Sequence, residues 1–321
     1  MDNWLELVRK SKTIALFAHV NSDGDANGSV MAMKHLLDGM GKETYVFLPL
    51  PINESYWFLG ANKVSCVKSL ASYDLAIGLD SPNTNRFSQC KTEFFKAKAS
   101  INIDHHMDNE NFANINIVDV DSSSACEILY HLFKEANLTI TKDMATALYS
   151  GIATDSGNFT HGPHTNVDAQ TFRTVADLVD LGADLKTINT NLITGIRRPV
   201  FELYRRGLCA AEFFENGKIA MICLTKQMFI ESGAILNDAN RIKDALGSVD
   251  GVEISCVIGQ NKPKENYVSV RTKNLNAERI CKHFGGGGHL HASGCRIYKP
   301  LEIAKNELLE ECKKELNRQD D

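Results

Sequence analysis

The chain has 321 residues, of which 43% are hydrophobic and 23% are charged, and its formal net charge is −5. These proportions are typical of a globular protein and exclude the disordered, collagen-like and disulfide-scaffold classes. The length predicts two domains, with one large α/β domain as the alternative. The slight acidity argues against a protein that binds duplex DNA by bulk positive charge, but it leaves nucleic acid open as a substrate.

The nine cysteines are scattered along the chain and include no C-x-x-C pair, a pattern that fits a reducing compartment. The first six residues lack the basic start and apolar core of a signal peptide. No stretch approaches about 18 uninterrupted apolar residues, the minimum for a membrane helix. We therefore expect a cytoplasmic protein with no membrane span.

Short apolar runs in the first half of the chain predict buried parallel strands, and a helical pattern separates the first run from the second. The runs are residues 13–18, 44–48, 73–79 and 99–103. Three of them end directly at a polar residue, namely His19, Asp80 or Asp104. In an open α/β sheet, ligands bind at the edge where the strands end. We therefore expect a binding site at that edge.

The chain turns helical after residue 122, and the second part of the sequence alternates strands with helices. Helices are predicted at 124–136, 142–153, 167–181, 238–246, 277–284 and 301–316. Strands are predicted at 218–224, 252–259, 267–270 and 292–297. The fold class is therefore α/β, with a mostly parallel sheet flanked by helices at 1–190, a linker at 191–212 and a smaller α/β domain at 213–321.

Charge is divided unevenly between the two parts of the chain. Residues 1–180 hold 14 Lys and Arg against 22 Asp and Glu, a charge of −8, and the remainder holds 21 against 18, a charge of +3. This division favours one part that binds cations and another that faces an anion. Random scatter would explain the same counts equally well.

His19, Asp23 and Asp25 lie on one turn, and their oxygen and nitrogen donors suit Mn²⁺, Mg²⁺ or Zn²⁺. Asp residues in turns often bond only to the nearby backbone, so this segment alone leaves both interpretations open. Taken singly, Asp80 and Asp155 also fit turn or helix-end roles.

The stretch from Asp104 to His106 places three metal-competent side chains directly after a strand, although paired histidines are more often surface residues. Together, five carboxylates and two or three imidazoles come from four element ends. Such a set would repel itself without cations. We therefore predict two divalent ions about 3.5 to 4 Å apart, bridged by a shared Asp, that serve in-line attack on phosphorus.

Four consecutive glycines at 285–288 precede His289 in the second domain. Such a run exposes several backbone N–H donors and lets an anion approach closely. A flexible linker is the alternative, and it is disfavoured because the run lies between a predicted helix and a predicted strand. Arg271 ends a predicted strand and would either clamp a phosphate bidentately or lie on the surface.

These motifs resemble those of the DHH phosphoesterase superfamily over nearly the whole chain. Residues 19–26, Asp80, residues 104–106 and residues 154–157 are similar to its four motifs in order. Residues 285–289 and 292–294 are similar to the signature of the associated C-terminal domain, which binds substrate. The resemblance implies an N-terminal DHH domain, a C-terminal substrate-binding domain and an active site in the cleft between them.

The resemblance also implies a role for each motif residue. One metal would be held by His19, Asp23, Asp80 and Asp155, and the other by Asp25, Asp80, His105 and Asp155. His106 would face the scissile phosphate, and Asp104 would orient the neighbouring imidazole. Substrate would be bound by Arg271, Gly286, Gly287, Gly288 and His289. The expected ions are Mn²⁺, with Mg²⁺ or Co²⁺ as alternatives.

Two positions depart from the family pattern. Asn21 and Ser22 stand where a Pro often precedes the first motif Asp, a change expected to leave metal binding intact. Thr160 and His161 stand where many relatives carry a basic residue. The second change puts substrate preference in question, since His161 or His164 would have to replace a phosphate contact.

Two-domain chains of this size resemble the nanoRNase and 3′-phosphoadenosine 5′-phosphate phosphatase group. We therefore predict hydrolysis of short RNA, such as the dinucleotide pApA, and of 3′-phosphoadenosine 5′-phosphate. The alternatives are a cyclic di-AMP phosphodiesterase and a catalytically inactive nucleotide-binding or RNA-binding module. A long-strand exonuclease is disfavoured because this chain lacks the basic surface that tracking a long strand requires. An inorganic pyrophosphatase is disfavoured because the C-terminal domain of those enzymes lacks the Gly-rich motif that this chain has. The resemblance also implies a homodimer.

Overall fold

The computed structural model describes residues 3–20, 22–64, 69–159 and 166–318. The chain forms two compact units, residues 1–195 and residues 196–321. In the part of the chain that is described, no helix has both the length and the apolar character that a membrane span requires.

The first unit alternates strands and helices along the chain. Its strands are β1 (Thr13–Phe17), β2 (Glu43–Phe47), β3 (Tyr73–Leu79), β4 (Ala97–Asp104) and β5 (Ile115–Val118). Its helices are α1 (Asn3–Lys10), α2 (Gly24–Gly39), α3 (Ala61–Val64), α4 (Lys91–Phe94), α5 (Ala125–Glu135), α6 (Lys142–Asp155), α7 (Ala169–Asp180) and α8 (Leu185–Ile188). Short helical turns at 54–59, 84–90 and 189–193 connect some of them.

The five strands form one sheet in the order β2-β1-β3-β4-β5, and every neighbouring pair is parallel. The order reverses between β1 and β3, because the chain leaves β1 toward one edge and returns to β3 on the other side. The loops that follow β1 and β3 therefore diverge and leave a crevice at the carboxyl ends of these strands. The register, in which Phe17 lies opposite Gly78, brings the two strand ends level.

Both faces of this sheet are covered, as a parallel sheet requires. One face packs the aliphatic side chains of the strands, such as Leu16 and Ile77, against α2, α5 and α6. The other face carries a cluster of aromatic side chains that includes Phe17, Phe87 and Phe94. The ring centroids of Phe17 and Phe87 are 5.4 Å apart. The sheet edge that carries the polar motifs is thus supported from both sides.

The second unit has a mixed sheet of six strands. Its strands are β6 (Ala211–Phe214), β7 (Ile219–Leu224), β8 (Ile254–Lys262), β9 (Glu265–Thr272), β10 (Gly287–His289) and β11 (Ala292–Ile297). Its helices are α9 (Arg198–Cys209), α10 (Lys226–Ser232), α11 (Asn240–Gly247), α12 (Ala277–Lys282) and α13 (Leu301–Asn317). The strand order is β10-β11-β9-β8-β7-β6, in which β7 and β8 are parallel and the other pairs are antiparallel.

The predicted α/β class and the mostly parallel first sheet are confirmed, and the parallel sheet has one more strand than expected. That strand, β5, is four half-buried residues at the sheet edge, and so short a run has no clear apolar period. Helix α9 occupies most of the span at 191–212 and buries Leu203 and Gly207. Pro199, which lies in its first turn, is a favourable residue at a helix start.

Candidate metal centre

The loop between β1 and α2 places an imidazole beside two carboxylates. His19 is buried, and its Nδ1 lies 2.9 Å from the backbone oxygen of Val20. This contact makes Nδ1 the donor and leaves Nε2 as the metal-competent atom. Nε2 lies 3.1 Å from Asp80 Oδ2 and 3.6 Å from Asp23 Oδ1. Asp23 also caps α2, because its Oδ1 accepts two backbone N–H groups at 3.1 Å.

Asp25, in the first turn of α2, is a buried carboxylate held by another helix. Its oxygens accept the backbone N–H groups of Ala125 at 2.7 Å and Cys126 at 2.9 Å, at the N-terminus of α5. These donors favour the charged form. Burial and the nearby charge of Asp80 nevertheless raise the pKa of Asp25 to about 7. A bound cation would reverse that rise by neutralising the crowded charge.

Three glycines bring α2 against α6 so closely that Asp25 and Asp155 share one site. A Cβ at Gly28 would overlap the backbone oxygen of Ala147. A Cβ at Gly151 would overlap a neighbouring sulfur and lie 2.8 Å from Asp25 Oδ1, and one at Gly24 would overlap the side chain of α6 that faces it. Our sequence analysis missed this packing. The signal was the four-residue spacing of Gly24 and Gly28, which places both on one helix face.

Asp80 follows β3 directly and lies at the centre of the cluster. It is 2% exposed, and its φ of 49° is unusual for a residue other than glycine. Its Oδ1 lies 3.6 Å from His105 Nε2 and 3.7 Å from His106 Nδ1. Burial raises the pKa of Asp80, but hydrogen bonds and charge from His105 and His19 more than offset this and lower it below its usual value.

His105 joins Asp80 to the carboxylates of α2 and α6. Its Nε2 lies 3.4 Å from Asp155 Oδ2 and 3.9 Å from Asp25 Oδ2. Burial lowers the pKa of His105, but the hydrogen bond to Asp80 and the charges of Asp155 and Asp25 raise it to about 10. Burial and the charge of Asp25 also raise the pKa of Asp155, the last residue of α6.

Asp104, the last residue of β4, orients the imidazole ring of His106. Its Nδ1 lies 2.8 Å from Oδ1 of Asp104, which is fully buried. Burial lowers the pKa of His106, but the hydrogen bond to Asp104 and the charge of Asp80 raise it above its usual value. Asp104 also accepts a hydrogen bond from Asn109, a residue that our sequence analysis missed.

The eight site residues expected in the first domain therefore come together around one edge of the sheet. Three groups have ligand atoms that all lie within 4.8 Å of one another: His19, Asp23 and Asp80; Asp25, His105 and Asp155; and Asp80, His105 and His106. Carboxylate oxygens and imidazole nitrogens are donors for Mn²⁺, Mg²⁺ or Zn²⁺, so the residues present fit divalent cations. Asp80 belongs to two of the groups, as a bridging ligand would.

The substrate-binding residues expected in the second domain lie at β9 and at β10, which are separated by β11 in its sheet. Arg271, on β9, lies opposite Ala292 of β11, and its Nη1 is 3.4 Å from Ser269 Oγ. The glycine run continues into β10, which pairs with β11. It is therefore part of the sheet and not a flexible linker.

Two of these glycines are required by close approach of the strands. A Cβ at Gly286 would overlap the backbone oxygen of Gly294. Gly288 has a φ of 146°, and a Cβ there would lie 2.7 Å from the backbone oxygen of Ala292. Gly287 has open space around its Cβ position. The side chain of His289, residue Asn21 and the segment 160–165, with His161 and His164, lie outside the described part of the chain.

The charge crowding predicts how pH acts on stability. Asp25 and His105 both have pKa values in the folded chain above their ordinary values of 3.8 and 6.5, at about 7 and about 10. Each group therefore stabilises the folded chain at pH values below its ordinary pKa. This stabilisation is lost as the pH rises through the higher pKa of the folded chain. Without cations, we expect the free energy of unfolding to fall between about pH 5 and about pH 8.

Metal ligands must be deprotonated, so the stabilisation by Mn²⁺ should grow over the same pH range. Thermal unfolding in EDTA and in excess Mn²⁺ at several pH values measures both trends. Asp25→Asn is the matched control, because a carboxamide does not titrate and should flatten the slope in EDTA. A melting temperature in EDTA that rises from pH 5 to pH 8 would contradict the assignment.

Two family models match the chain, one in each unit. The "DHH family, N-terminal domain" model matches residues 13–152, and the "DHHA1 domain" model matches residues 219–318. The DHH and DHHA1 domains that the motifs predicted are therefore present in this chain.

Two curated relatives bear on the substrate. A Thermus thermophilus protein named "Bifunctional oligoribonuclease and PAP phosphatase NrnA" is 28% identical over 316 residues, which are 95% of this chain and 90% of that protein. The Listeria monocytogenes protein named "Cyclic-di-AMP phosphodiesterase PdeA" is 26% identical, and the match covers 94% of this chain but 47% of that protein.

Two solved structures share the fold. An exopolyphosphatase-related protein from Bacteroides fragilis has a TM-score of 0.89 at 24% identity, covering 98% of this chain and 95% of that one. RecJ from Thermus thermophilus in complex with Mn²⁺ has a TM-score of 0.52 at 14% identity, covering 95% of this chain and 52% of that one. At these identities the likeness shows the fold alone.

Proposed function

We propose that this chain is a two-metal phosphoesterase that hydrolyses very short RNA, such as pApA, to mononucleotides and also acts on 3′-phosphoadenosine 5′-phosphate. The observation that carries the proposal is the meeting of four carboxylates and three imidazoles in three overlapping metal-competent groups. The named activity of the Thermus thermophilus relative, which matches almost end to end, supports the substrate class.

We propose a ligand set for each ion. One ion would be held by His19, Asp23, Asp80 and Asp155, and the other by Asp25, Asp80, His105 and Asp155. Mn²⁺ is the expected ion because imidazole and carboxylate donors suit it, with Mg²⁺ or Co²⁺ as alternatives. Bound divalent ions supply Lewis acidity toward a phosphoryl oxygen and lower the pKa of a water molecule.

The chain's own residues would orient and neutralise the scissile phosphate. Asp104 holds Nδ1 of His106 at 2.8 Å, which leaves Nε2 on the opposite edge of the ring to donate to a phosphate oxygen. The raised pKa of His106 favours the imidazolium form, which has a proton on that nitrogen. A preorganised cationic donor of this kind stabilises charge that develops on the phosphate.

The second domain would bind the rest of the substrate. Arg271 offers a planar guanidinium that matches phosphate geometry. Gly286, Gly287 and Gly288 expose backbone at the edge strand β10, and His289 follows them in the motif. The excess of positive over negative charge after residue 180 is consistent with a role in binding an anion. A homodimer and a cytoplasmic location stay predictions.

A substrate panel tests the proposal. With Mn²⁺, we expect kcat/KM to be highest for pApA and RNA of a few residues, measurable for 3′-phosphoadenosine 5′-phosphate, and lowest for pyrophosphate. Cyclic di-AMP is the discriminating substrate because of the Listeria relative. Its rapid turnover with inert short RNA would replace the proposal with the cyclic dinucleotide activity. Nucleotide binding without any hydrolysis would support the inactive module.

A further inference from the structure

Two side-chain amides, those of buried Asn102 and half-buried Asn109, lie beside the candidate metal centre, outside the proposed ligand set. Asn102, on β4, is fully buried. Its Nδ2 donates to the backbone oxygens of Gly78 at 3.3 Å and Ser81 at 3.2 Å. Its Oδ1 accepts a hydrogen bond from Asn109 Nδ2 at 2.8 Å. Both N–H groups and the oxygen of Asn102 are therefore used.

The contacts of Asn102 bracket the strained residue Asp80. Gly78 and Ser81 lie on either side of Asp80, whose φ is 49°. A residue other than glycine in that region is strained and keeps its conformation only when its surroundings hold it. By binding the carbonyl groups before and after Asp80, Asn102 holds the turn that directs this carboxylate toward His19.

The contacts of Asn109 hold the other half of the site. Its Nδ2 donates to Asp104 Oδ2 at 2.6 Å as well as to Asn102. Its own oxygen accepts the backbone N–H of Asn111 at 2.7 Å, which settles which end of the amide is the donor. With Oδ2 held in this way, Asp104 presents Oδ1 to His106 Nδ1.

We infer that Asn102 and Asn109 are positioning residues, here called the amide pair, which set the metal ligand Asp80 and the imidazole of His106 in one mutual arrangement. The inference rests on the proposed function for what Asp80 and His106 do. Asn102 acts on Asp80 through the backbone, and Asn109 acts on His106 through Asp104. Neither amide contacts the proposed ions. A purely structural role, in which buried amides only satisfy each other, would lower stability without separating metal binding from turnover.

Alanine variants separate the effect of Asn102 on Asp80 from the effect of Asn109 on His106. Loss of an orienting partner in a metal site typically lowers affinity or activity about 10- to 100-fold. Asn109→Ala should lower kcat for pApA by about that factor while KM and the Kd for Mn²⁺ stay within about twofold. Asn102→Ala should weaken Mn²⁺ binding, measured by calorimetry, by the same factor. Asn116→Ala is the matched control, because Asn116 donates to Asn111 and Ala113 in the same region and should change neither quantity.

A double-mutant cycle tests whether Asn109 acts through His106. In the His106→Ala background, Asn109→Ala should lower kcat no further, and an undiminished loss there would overturn the inference. Asn102→Leu, which fills a similar volume, serves if Asn102→Ala does not fold. Unchanged Mn²⁺ affinity in either folded Asn102 variant would also overturn it.

The outcome is separable from that of the proposed function. If the wild-type chain hydrolyses no substrate of the panel, the proposed function fails, while Mn²⁺ titration still tests Asn102. A crystal structure of Asn109→Ala then tests the effect of Asn109 on His106, since the imidazole of His106 should leave its present rotamer. An unmoved imidazole contradicts the inference.

Discussion

Asp80→Asn is expected to lower kcat/KM for Mn²⁺-dependent hydrolysis of pApA on the order of 10³-fold. Asp80 is 2% exposed, lies 3.1 Å from His19 Nε2 and 3.6 Å from His105 Nε2, and belongs to two of the three metal-competent groups. A bridging carboxylate holds both ions, and charge stabilisation by such ions contributes several kcal/mol. At about 1.4 kcal/mol per tenfold change in rate, about 4 kcal/mol corresponds to the expected loss.

The substitution is suited to this test because Asn has almost the shape of Asp and tolerates a positive φ, so the turn after β3 should persist. Steady-state kinetics and calorimetric Mn²⁺ stoichiometry measure the effect. Asp38→Asn is the matched control, since Asp38 pairs with Lys34 near the end of α2 and should leave both quantities unchanged. Asp80→Ala combined with His105→Ala should abolish hydrolysis. Activity that survives this double change would disprove the two-metal assignment.

Gly151→Ala is expected to destabilise the first domain by about 1 to 3 kcal/mol, the usual effect of overpacking a core. The new Cβ would overlap Cys126 Sγ and lie 2.8 Å from Asp25 Oδ1. The carboxylate of Asp25 accepts two backbone hydrogen bonds from the N-terminus of α5, and it would lose them if it moved aside. We therefore also expect weaker Mn²⁺ binding.

Gly39→Ala is the matched control for this prediction. Gly39 is also helical, but a Cβ there would meet nothing within 4 Å. Alanine should stabilise the chain at that position by up to about 1 kcal/mol, because it has the higher helix propensity. Urea unfolding at fixed EDTA compares the two variants, and Mn²⁺ titration follows. Equal stability of Gly151→Ala and Gly39→Ala would show that the helices separate more readily than their packing indicates.

Four strands of the first sheet were predictable because each is a short apolar run, and three of these runs end at a polar residue. Leu16 and Ile77 lie in such runs, and the rule that ligands bind where parallel strands end brought His19, Asp80 and Asp104 together in the prediction. The edge strand β5 and the short strand β10 were not predictable. Neither has an apolar period of its own, and each exists because a neighbouring strand offers hydrogen-bond partners.

The roles of the amide pair could not be predicted from the sequence motif beside it. Asn102 and Asn109 flank the stretch from Asp104 to His106, yet nothing in the sequence separates a buried amide from a surface one. The role of Asn102 depends on the carbonyl groups of Gly78, in β3, and of Ser81, just after it, 24 and 21 residues away along the chain. The sites of close helix approach, such as Gly151, likewise depend on which helices meet.

The sequence by itself determined the fold class, the side chains that meet at the candidate metal centre and the two domain types, because strand periodicity and the types of side chain at strand ends are local properties. The tertiary structure alone decided how charge is shared among those side chains. Burial raises the pKa of Asp25 while the flanking imidazoles lower that of Asp80, although the two residues are the same amino acid. Electrostatic interactions depend on distance and on exclusion of water, and both arise only when α2, α6 and the strand ends meet.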